Sequence, residues 1–474
     1  MLFSSIEFLF YFLPVTLLVY FIIPMPGGSP KLRNYWLLLT SLIFYGWVGV
    51  GYAVLITAQS LAGWLFGLLI ENRRGKPGAK LALLCAVLVG LSGLIYFKYT
   101  NFFLANINAL FGTDISPIKF ILVIGISFKT FQILSYNIDL YYGKIKSQRN
   151  FFTFFTYVAF FAQLTAGPII RYSAVEKEFA ERKHSIESVS AGMRRFALGL
   201  AKKVLIADVL GGFVAFYKSS GDKSTLGAWL YLFVYAFYLY FDFSGYSDMA
   251  LGLGKIFGFK FPENFNYPYI AKSVTDFWRR WHISMSMWFR DYIYIPLGGN
   301  RVSKWRHILN ILAVWLATGF WHGAGWNFMA WGVYFGLLLL FEKFIFGKLL
   351  GKLPSVIAHL YLILCIAVGW TLFDSDTVGI AVTRIGYMFG AGAEQIINAD
   401  MLYYLRSYLI PLIIAIIGCT PIPSVIAAKI INNPNPKIKS VMTVLEPVAV
   451  GVLIILCAAY LVDGSFFPNI YYGF

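Results

Sequence analysis

Long apolar runs alternate with short basic segments along almost the whole chain of 474 residues. A transmembrane helix needs about 20 mostly apolar residues, since each residue of an α-helix rises about 1.5 Å. Runs of this kind predict ten membrane-spanning helices, and the core therefore lies within a bilayer. Their ranges are 6–24, 34–49, 52–70, 80–98, 118–142, 204–218, 226–250, 355–373, 402–420 and 444–462.

Two further apolar stretches contain helix breakers. Residues 151–170 include a Gly-Pro pair near their end, and residues 308–342 are interrupted by Gly319, Gly323 and Gly325. Broken helices at membrane depth are tolerated where the backbone is buried in protein or lines a wet cavity. We therefore predict a re-entrant or docking segment for 151–170 and a hairpin of two helices for 308–342.

The composition agrees with this pattern, because 59% of the residues are hydrophobic and only 13% are charged. Soluble domains carry about a quarter charged residues, so a soluble enzyme and a disordered chain are excluded. The predicted fold class is an all-α, polytopic membrane protein with about ten to twelve transmembrane helices and re-entrant or hairpin segments around a central tunnel. We expect one membrane-embedded domain, 1–474, made of N-terminal spans 1–150, a core 151–345 and C-terminal spans 346–474.

The net charge of +17 comes mainly from lysines and arginines in loops that we predict on one side of the membrane. With the N-terminus outside, most of the 39 lysines and arginines fall in loops assigned to the cytoplasm. This asymmetry fits the positive-inside rule and predicts that both termini lie outside. The basic loops would face anionic lipid, so the charge is no sign of nucleic-acid binding.

One basic, tryptophan-rich segment stands out between residues 262 and 301. Ser273 is followed three residues later by Asp276, which is a helix-start pattern. At 100° per residue the segment predicts one amphipathic helix with an apolar face and a basic face. The apolar face holds Val274, Phe277, Trp278, Trp281, Met285, Trp288 and Tyr292, and the polar face holds Asp276, Arg279, His282, Ser286 and Arg290. The alternative is an interfacial helix whose arginines contact lipid headgroups, with His282 solvated among them.

A second histidine, His322, lies inside an apolar run between Trp321 and Gly323. An ionisable group at membrane depth is a functional candidate by default. The alternative is a neutral imidazole bound to a carbonyl freed by the nearby glycines. Helix geometry places His322 in the membrane interior, nearer the outer leaflet, with His282 close to the cytoplasmic surface.

Other polar side chains also lie in apolar runs, where burial without partners is costly. We expect them to face a wet tunnel or one another. They are Gln132, Gln163, Asp242, Ser244 and Asp248. The chain has no Gly-x-Ser-x-Gly, P-loop, HExxH or CxxC motif, so we predict no metal site and no bound cofactor.

Two sequence runs carry a resemblance to a known family. SVTDFWRRWHISMSMWFRDYIYIPLGGNR at 273–301 and GFWHGAGWNF at 319–328 resemble the membrane-bound O-acyltransferases, and more narrowly the bacterial branch that contains the alginate O-acetyltransferase membrane subunit. Supporting pieces span nearly the whole chain. They are 1–14, 125–143, 160–171, 241–269 and the ending GSFFPNIYYGF at 464–474.

The resemblance implies acyl transfer to a hydroxyl, with His322 at the family's catalytic histidine and His282 at its second polar position. A cytoplasmic thioester, acetyl-CoA or an acyl-carrier protein, would donate the acyl group. A periplasmic or extracellular transferase partner would receive it and pass it to a polysaccharide. The resemblance also implies the bacterial inner membrane as the location.

These expectations give named residues a role. His322 would take the proton of the acceptor hydroxyl, because proton transfer is efficient from a group that titrates near working pH. His282 would orient the thioester or stabilise developing charge. Donor binding is assigned to Arg279, Arg280, Arg290 and Trp281, with the arginines on phosphates or on an acidic carrier surface.

Three alternatives stay open. A D-alanyl transferase of the same family shares the histidines, although it usually lacks the PLGGNR continuation. A transporter or flippase for envelope precursors suits the broken helices, and a scaffold subunit for polysaccharide export would use neither histidine. Alginate, cellulose, peptidoglycan and other secreted glycans all remain possible acceptors.

Overall fold

A computed structural model describes residues 1–120, 125–163, 167–431 and 433–463 as α-helices joined by short connections. Parts of the predicted span 118–142 and of segment 151–170 lie outside the described residues. So does the ending 464–474 that contributed to the family resemblance. Within the described part, the extended pairing consists of an isolated bridge between Ser224 and Gln395.

The described residues form two compact units. The first comprises Met1–Phe196 and Ser247–Pro262. Its helices are α1 Leu13–Ile22, α2 Lys31–Gly46, α3 Val50–Asn72, α4 Pro77–Leu94, α5 Thr100–Phe111, α6 Ile126–Tyr141, α7 Phe151–Ala159, α8 Tyr172–Ala180 and α9 Ile186–Ala201, whose last turns belong to the second unit.

The second unit comprises Ala197–Tyr246 and the residues from Glu263 onward. Its helices are α10 Asp208–Ser220, α11 Thr225–Ile256 (which ends in the first unit), α12 Val274–Arg280, α13 Ile283–Phe289, α14 Lys304–His322, α15 Trp326–Phe341, α16 Gly347–Leu350, α17 Ser355–Asp374, α18 Val378–Met388, α19 Ala399–Ser407, α20 Leu409–Gly418, α21 Ile422–Ile431 and α22 Pro436–Val462. Segments of π-helix continue several of these helices, at Glu7–Phe12, Ile95–Tyr99, Lys202–Ala207, Arg290–Tyr294 and Glu342–Phe346.

Five helices among the described residues are long and apolar enough to cross a membrane, and a sixth span forms if the pair α19 and α20, bent by 56°, counts as one. The five are Val50–Asn72, Pro77–Phe111, Thr225–Ile256, Ser355–Asp374 and Pro436–Val462. They match predicted spans, so the all-helical, multi-pass class is confirmed. Other predicted spans correspond to shorter helices among the described residues, such as α2 with 16 residues.

The predicted break in 151–170 is confirmed, since α7 ends at Ala159 and a short 3-10 turn, Phe161–Gln163, follows. Buried side chains from α6 satisfy the carbonyls that lose helical partners there. The Lys129 ammonium donates to the Gln163 carbonyl at 3.2 Å and to Gln132 Oε1 at 3.1 Å. The Gln132 amide donates to Gln163 Oε1, and the Gln163 amide donates to the Tyr157 carbonyl. Lys129 is therefore held inside the first unit by a network of neutral partners.

The predicted hairpin is also confirmed, because α14 ends at His322 and α15 begins at Trp326. Two glycines let the backbones of these helices touch. A Cβ atom on Gly319 would overlap the carbonyl oxygen of Phe328, and one on Gly332 would overlap the carbonyl oxygen of Trp315. Small residues at helix crossings in membranes allow this close approach.

Substituting Gly332→Ala is expected to lower thermal stability in detergent, because the added methyl group meets backbone that cannot rotate away. Overpacking of this kind costs about 1–3 kcal/mol. The measurement is the melting temperature from tryptophan fluorescence. Gly451→Ala on α22, where a Cβ would meet nothing within 4 Å, serves as the control and should be neutral or stabilising. Equal melting temperatures for both variants would contradict the proposed backbone contact.

Candidate active site

His322 is the last residue of α14 and is only 3% exposed. Aromatic rings enclose its imidazole. The ring centroids of Trp321, Trp331 and Phe373 lie 4.9, 5.0 and 5.3 Å from the imidazole centroid. An enclosure of this kind excludes water, which strengthens any electrostatic interaction that the imidazole makes.

His282 lies between α12 and α13, not within one continuous helix. The prediction of a single amphipathic helix through this segment is therefore wrong, as is a solvated His282 at a lipid surface, because the side chain is fully buried. The backbone at His282 is left-handed, with φ of 45°, a conformation that is costly for a residue with a Cβ. This turn moves the side chain off the polar face of α12 and into the protein. The predicted cap is confirmed, since the Ser273 hydroxyl accepts from the Asp276 N–H at 2.9 Å.

Asn264 determines how His282 is oriented. Its Oδ1 accepts hydrogen bonds from the backbone N–H and the hydroxyl of Ser284, at 3.3 and 2.8 Å. The same oxygen lies 3.1 Å from His282 Nδ1. An atom that accepts from a backbone N–H is an acceptor, so Nδ1 must carry the proton in this contact. His282 therefore keeps the lone pair of Nε2 for other partners.

The environment of His282 also determines its charge. The side chain lies outside the spanning helices but is enclosed by protein, and Phe243 packs against it with 4.7 Å between ring centroids. Burial lowers the pKa of His282 to about 3, because removal of water disfavours the imidazolium. His282 is therefore neutral at physiological pH.

The indole ring of Trp321 contacts both histidines. The centroid of Trp321 is 6.0 Å from that of His282 and 4.9 Å from that of His322. The two imidazoles can be no farther apart than the sum of these distances. His282 and His322 therefore belong to one aromatic cluster in the second unit.

A cavity of about 940 Å³ lies beside α12, α13 and α14. Basic side chains of Lys272, Arg279, Arg290 and Lys343 line it, together with the tryptophans Trp278 and Trp315. It reaches Thr318, which precedes His322 by one helical turn. Its cationic and aromatic lining suits a ligand with both phosphate groups and an apolar end.

The predicted donor-binding residues divide into two groups. Arg279 and Arg290 line the cavity, and Arg290 also forms an ion pair with Asp291 at 2.7 Å. Arg280, which forms an ion pair with Asp276 at 3.0 Å, and Trp281, which is 1% exposed within an aromatic cluster, are not among the residues described as lining it. Lys272 and Lys343, which the sequence interpretation did not select, complete the cationic lining. Little in the sequence points to these two lysines, because a basic loop residue in a membrane protein usually reflects the orientation of the chain in the membrane alone.

Glu342 is a further residue that the sequence interpretation missed. Its carboxylate accepts from the backbone N–H groups of Val274 and Thr275, at 2.6 and 2.8 Å, and from the Thr275 hydroxyl at 2.5 Å. A carboxylate at a helix start satisfies free N–H groups and interacts favourably with the helix dipole. It thereby ties α12, which carries Trp278 and Arg279, to the segment that follows α15.

Four of the five predicted polar residues of the spans are placed in separate ionic or hydrogen-bonded clusters, whereas the buried Ser244 hydroxyl has no partner among the described residues. Asp242 is fully buried, 2.8 Å from Lys203, which also contacts Asp208 at 2.5 Å. Asp248 pairs with Arg195 at 2.6 Å. Among the described residues that line the cavity, Asp242, Asp248, Ser244, Gln132 and Gln163 are not found. Their role in a tunnel stays a prediction.

Comparison with known proteins identifies the family of the chain. The profile of the membrane-bound O-acyltransferase family matches residues 141–349, which include both histidines and the start of α12. The chain is 40% identical over 397 residues to the probable alginate O-acetylase of Azotobacter vinelandii, covering 83% of this chain and 79% of that protein. It is 35% identical over 421 residues to the peptidoglycan O-acetyltransferase of Helicobacter pylori, covering 82% and 80%.

A more distant relative is the teichoic acid D-alanyltransferase of Bacillus subtilis, 31% identical over 255 residues, with 50% of this chain and 64% of that protein covered. The chain belongs to the membrane-bound O-acyltransferase family. It is a multi-pass membrane protein and an O-acyltransferase, and its reaction uses an acyl donor.

Substituting Asn264→Leu is expected to reduce acyl transfer by about 10- to 100-fold, the usual effect of removing a partner that orients a functional histidine. The variant loses the acceptor that holds the Nδ1 proton of His282. Asn264→Asp keeps an oxygen at that position and should retain most activity. Thioester consumption by the purified variants is the measurement, and full activity of Asn264→Leu would contradict the orienting role.

Proposed function

We propose that this protein transfers an acetyl group from a cytoplasmic thioester across the membrane for O-acetylation of a secreted or cell-wall polysaccharide. The observation that carries the proposal is the pair of buried histidines that both contact Trp321, with a cationic cavity that reaches Thr318, one helical turn before His322. The relatives named as alginate and peptidoglycan O-acetylating proteins align over most of this chain. The D-alanyl alternative has less support, because its relative aligns with only half of the chain.

The reaction needs a base for the acceptor hydroxyl. His322 takes that proton while the hydroxyl oxygen attacks the thioester carbonyl carbon. The C–S bond then breaks, and the imidazolium returns the proton to the leaving thiolate. His322 lies at the C-terminal end of α14, where the partial negative charge of the helix dipole stabilises the imidazolium as it forms.

His282 acts as a neutral partner in this scheme. Its Nδ1–H is held by Asn264, so Nε2 is an acceptor that can orient the acceptor hydroxyl or the donor. Because the ring stays uncharged, it does not repel the imidazolium that forms on His322. The two imidazoles can take different roles because their environments differ.

The donor is acetyl-CoA or an acyl-carrier thioester bound in the cationic cavity. Arg279 and Arg290, with Lys272 and Lys343, would contact its phosphates. The aromatic lining at Trp278 and Trp315 would receive the thioester end. The residues that line the cavity are thus arranged to bind the charged end near solvent and the reacting end near His322.

The proposed function also requires a partner outside the cytoplasm that accepts the acetyl group. A periplasmic or extracellular transferase partner would receive the acetyl group and deliver it to the polysaccharide. The protein would act as a single membrane-embedded domain in the bacterial inner membrane, with both termini outside. The basic loops on the cytoplasmic side would contact anionic lipid.

Substituting His322→Ala is expected to abolish O-acetylation, because alanine cannot take the proton of the acceptor hydroxyl. Cells that lack the chromosomal gene would be complemented with wild type or variant, so that partner and acceptor are present. The measurement is the base-releasable acetate of the extracted envelope and secreted polysaccharides. His359→Ala on α17, whose imidazole contacts the Ala271 carbonyl, is the matched control and should complement fully. Wild-type acetate levels with correctly inserted His322→Ala would refute the assigned base.

The pH dependence distinguishes the two histidines. Because burial holds the pKa of His282 near 3, its neutral form is fully populated between about pH 5 and 9 and does not titrate there. We expect the acidic limb of the kcat/KM profile to lie at the same pH in wild type and in His282→Gln, although the plateau of the variant is lower. The profile is measured from CoA release. A limb that disappears in His282→Gln would assign the titration to His282 instead.

A further inference from the structure

Trp331 carries a buried hydrogen-bond donor with no acceptor. The residue lies on α15 and is fully buried, and no acceptor for its indole N–H occurs among the described residues. Buried indole N–H groups ordinarily find a partner. In the same aromatic cluster, the Trp370 N–H donates to the Tyr269 hydroxyl at 3.2 Å. Trp331 is therefore an exception that packing alone does not explain.

The position of Trp331 points to a ligand as the missing acceptor. Its ring centroid lies 5.0 Å from that of His322, and 5.5 Å from that of Trp278. Trp278 lines the cationic cavity and has an indole N–H that likewise lacks an acceptor within the described part of the chain. Trp278 at the cavity thus contacts Trp331, and Trp331 contacts His322. The indole N–H groups of both tryptophans lack acceptors among the described residues.

A buried donor without a partner destabilises the fold, and phenylalanine would fill much of the same space without that cost. Groups left unsatisfied in the folded protein are characteristic of sites that bind charge developing during a reaction. We propose that Trp331 is a further catalytic residue, whose indole N–H donates to the carbonyl oxygen of the acyl thioester. This proposal rests on the acetyl transfer proposed above.

The proposed reaction forms a C–O bond to the acceptor and breaks the C–S bond of the thioester. The hydroxyl oxygen of the acceptor bonds to the carbonyl carbon while its proton passes to His322. The carbonyl oxygen becomes an oxyanion, and the Trp331 N–H hydrogen bond to it shortens and strengthens as the charge develops. When the C–S bond breaks, the oxyanion reverts to a carbonyl, the ester is released, and the thiolate takes the proton from His322.

Trp331→Phe tests this role, because it removes the N–H and retains an aromatic ring. With protein in nanodiscs and acetyl-CoA as substrate, we expect kcat to fall by about 100-fold, in the range seen on removal of an oxyanion donor. KM should change little, since the hydrogen bond strengthens only in the transition state. The melting temperature should stay equal or rise, because an unsatisfied donor has been removed.

Trp370→Phe is the matched control. It also removes an indole N–H from the aromatic cluster, but one that already donates to Tyr269. We expect a lower melting temperature and a kcat within about threefold of wild type, the reverse of the pattern for Trp331→Phe.

A second readout does not depend on turnover. The infrared carbonyl stretch of bound [1-13C]acetyl-CoA, measured in the His322→Ala background, should move to lower frequency than in water. It should return toward the free value when Trp331→Phe is added. A hydrogen bond to the thioester oxygen weakens the C=O bond, whereas a purely structural tryptophan would leave the frequency unchanged.

The outcomes separate the two proposals. If wild type turns over acetyl-CoA and Trp331→Phe has the same kcat, the oxyanion role is wrong and the acetyl transfer stands. If wild type turns over no acetyl thioester while partner and acceptor are supplied by native membranes, the proposed function fails and the catalytic role of Trp331 fails with it. An equal loss of kcat in both tryptophan variants would indicate a packing effect and would also overturn the assignment.

Discussion

The backbone contact between α14 and α15 is the constraint on which the site depends. Gly319 and Gly332 allow the two helices to touch where any side chain would overlap a carbonyl group. At that distance, the last residue of α14, His322, lies against Trp331 on α15. A wider crossing would open the enclosure and admit water. The glycines that interrupt the apolar pattern are therefore what bring a base and an aromatic wall together.

Burial then gives the two histidines different properties. His322 is enclosed by aromatic rings at the end of a helix, and His282 is held in a left-handed turn by Asn264. Strain at a backbone turn persists only where surrounding contacts maintain it. Here the contacts are the hydrogen bonds of Asn264 and the ring of Phe243. The turn brings a neutral imidazole against Trp321, which also contacts His322.

The cavity beside α12, α13 and α14 is lined by positively charged side chains. Its four cationic side chains come from three parts of the chain: α12 and the residues just before it, the residue after α13, and the segment after α15. Glu342 links the first and last of these parts through the free N–H groups of α12. The same carboxylate therefore orients the helix that supplies Arg279 to the cavity and Trp278 to the route toward His322.

The sequence by itself determined the class of protein and selected the two histidines as candidates. Apolar runs about as long as a bilayer is thick, glycines within 308–342 and the Ser273 start signal are local features, and local features can be recognised without a fold. The tertiary structure decided the break at His282, the partnership with Asn264 eighteen residues away, and which basic residues line the cavity. Arg279 and Arg280 are neighbours with the same chemistry, yet one lines the cavity and the other pairs with Asp276. Which arginine lines the cavity depends on helix orientation and on contacts between segments distant in sequence. Likewise, the unsatisfied N–H of Trp331 can be recognised only when the positions of all neighbouring acceptors are known.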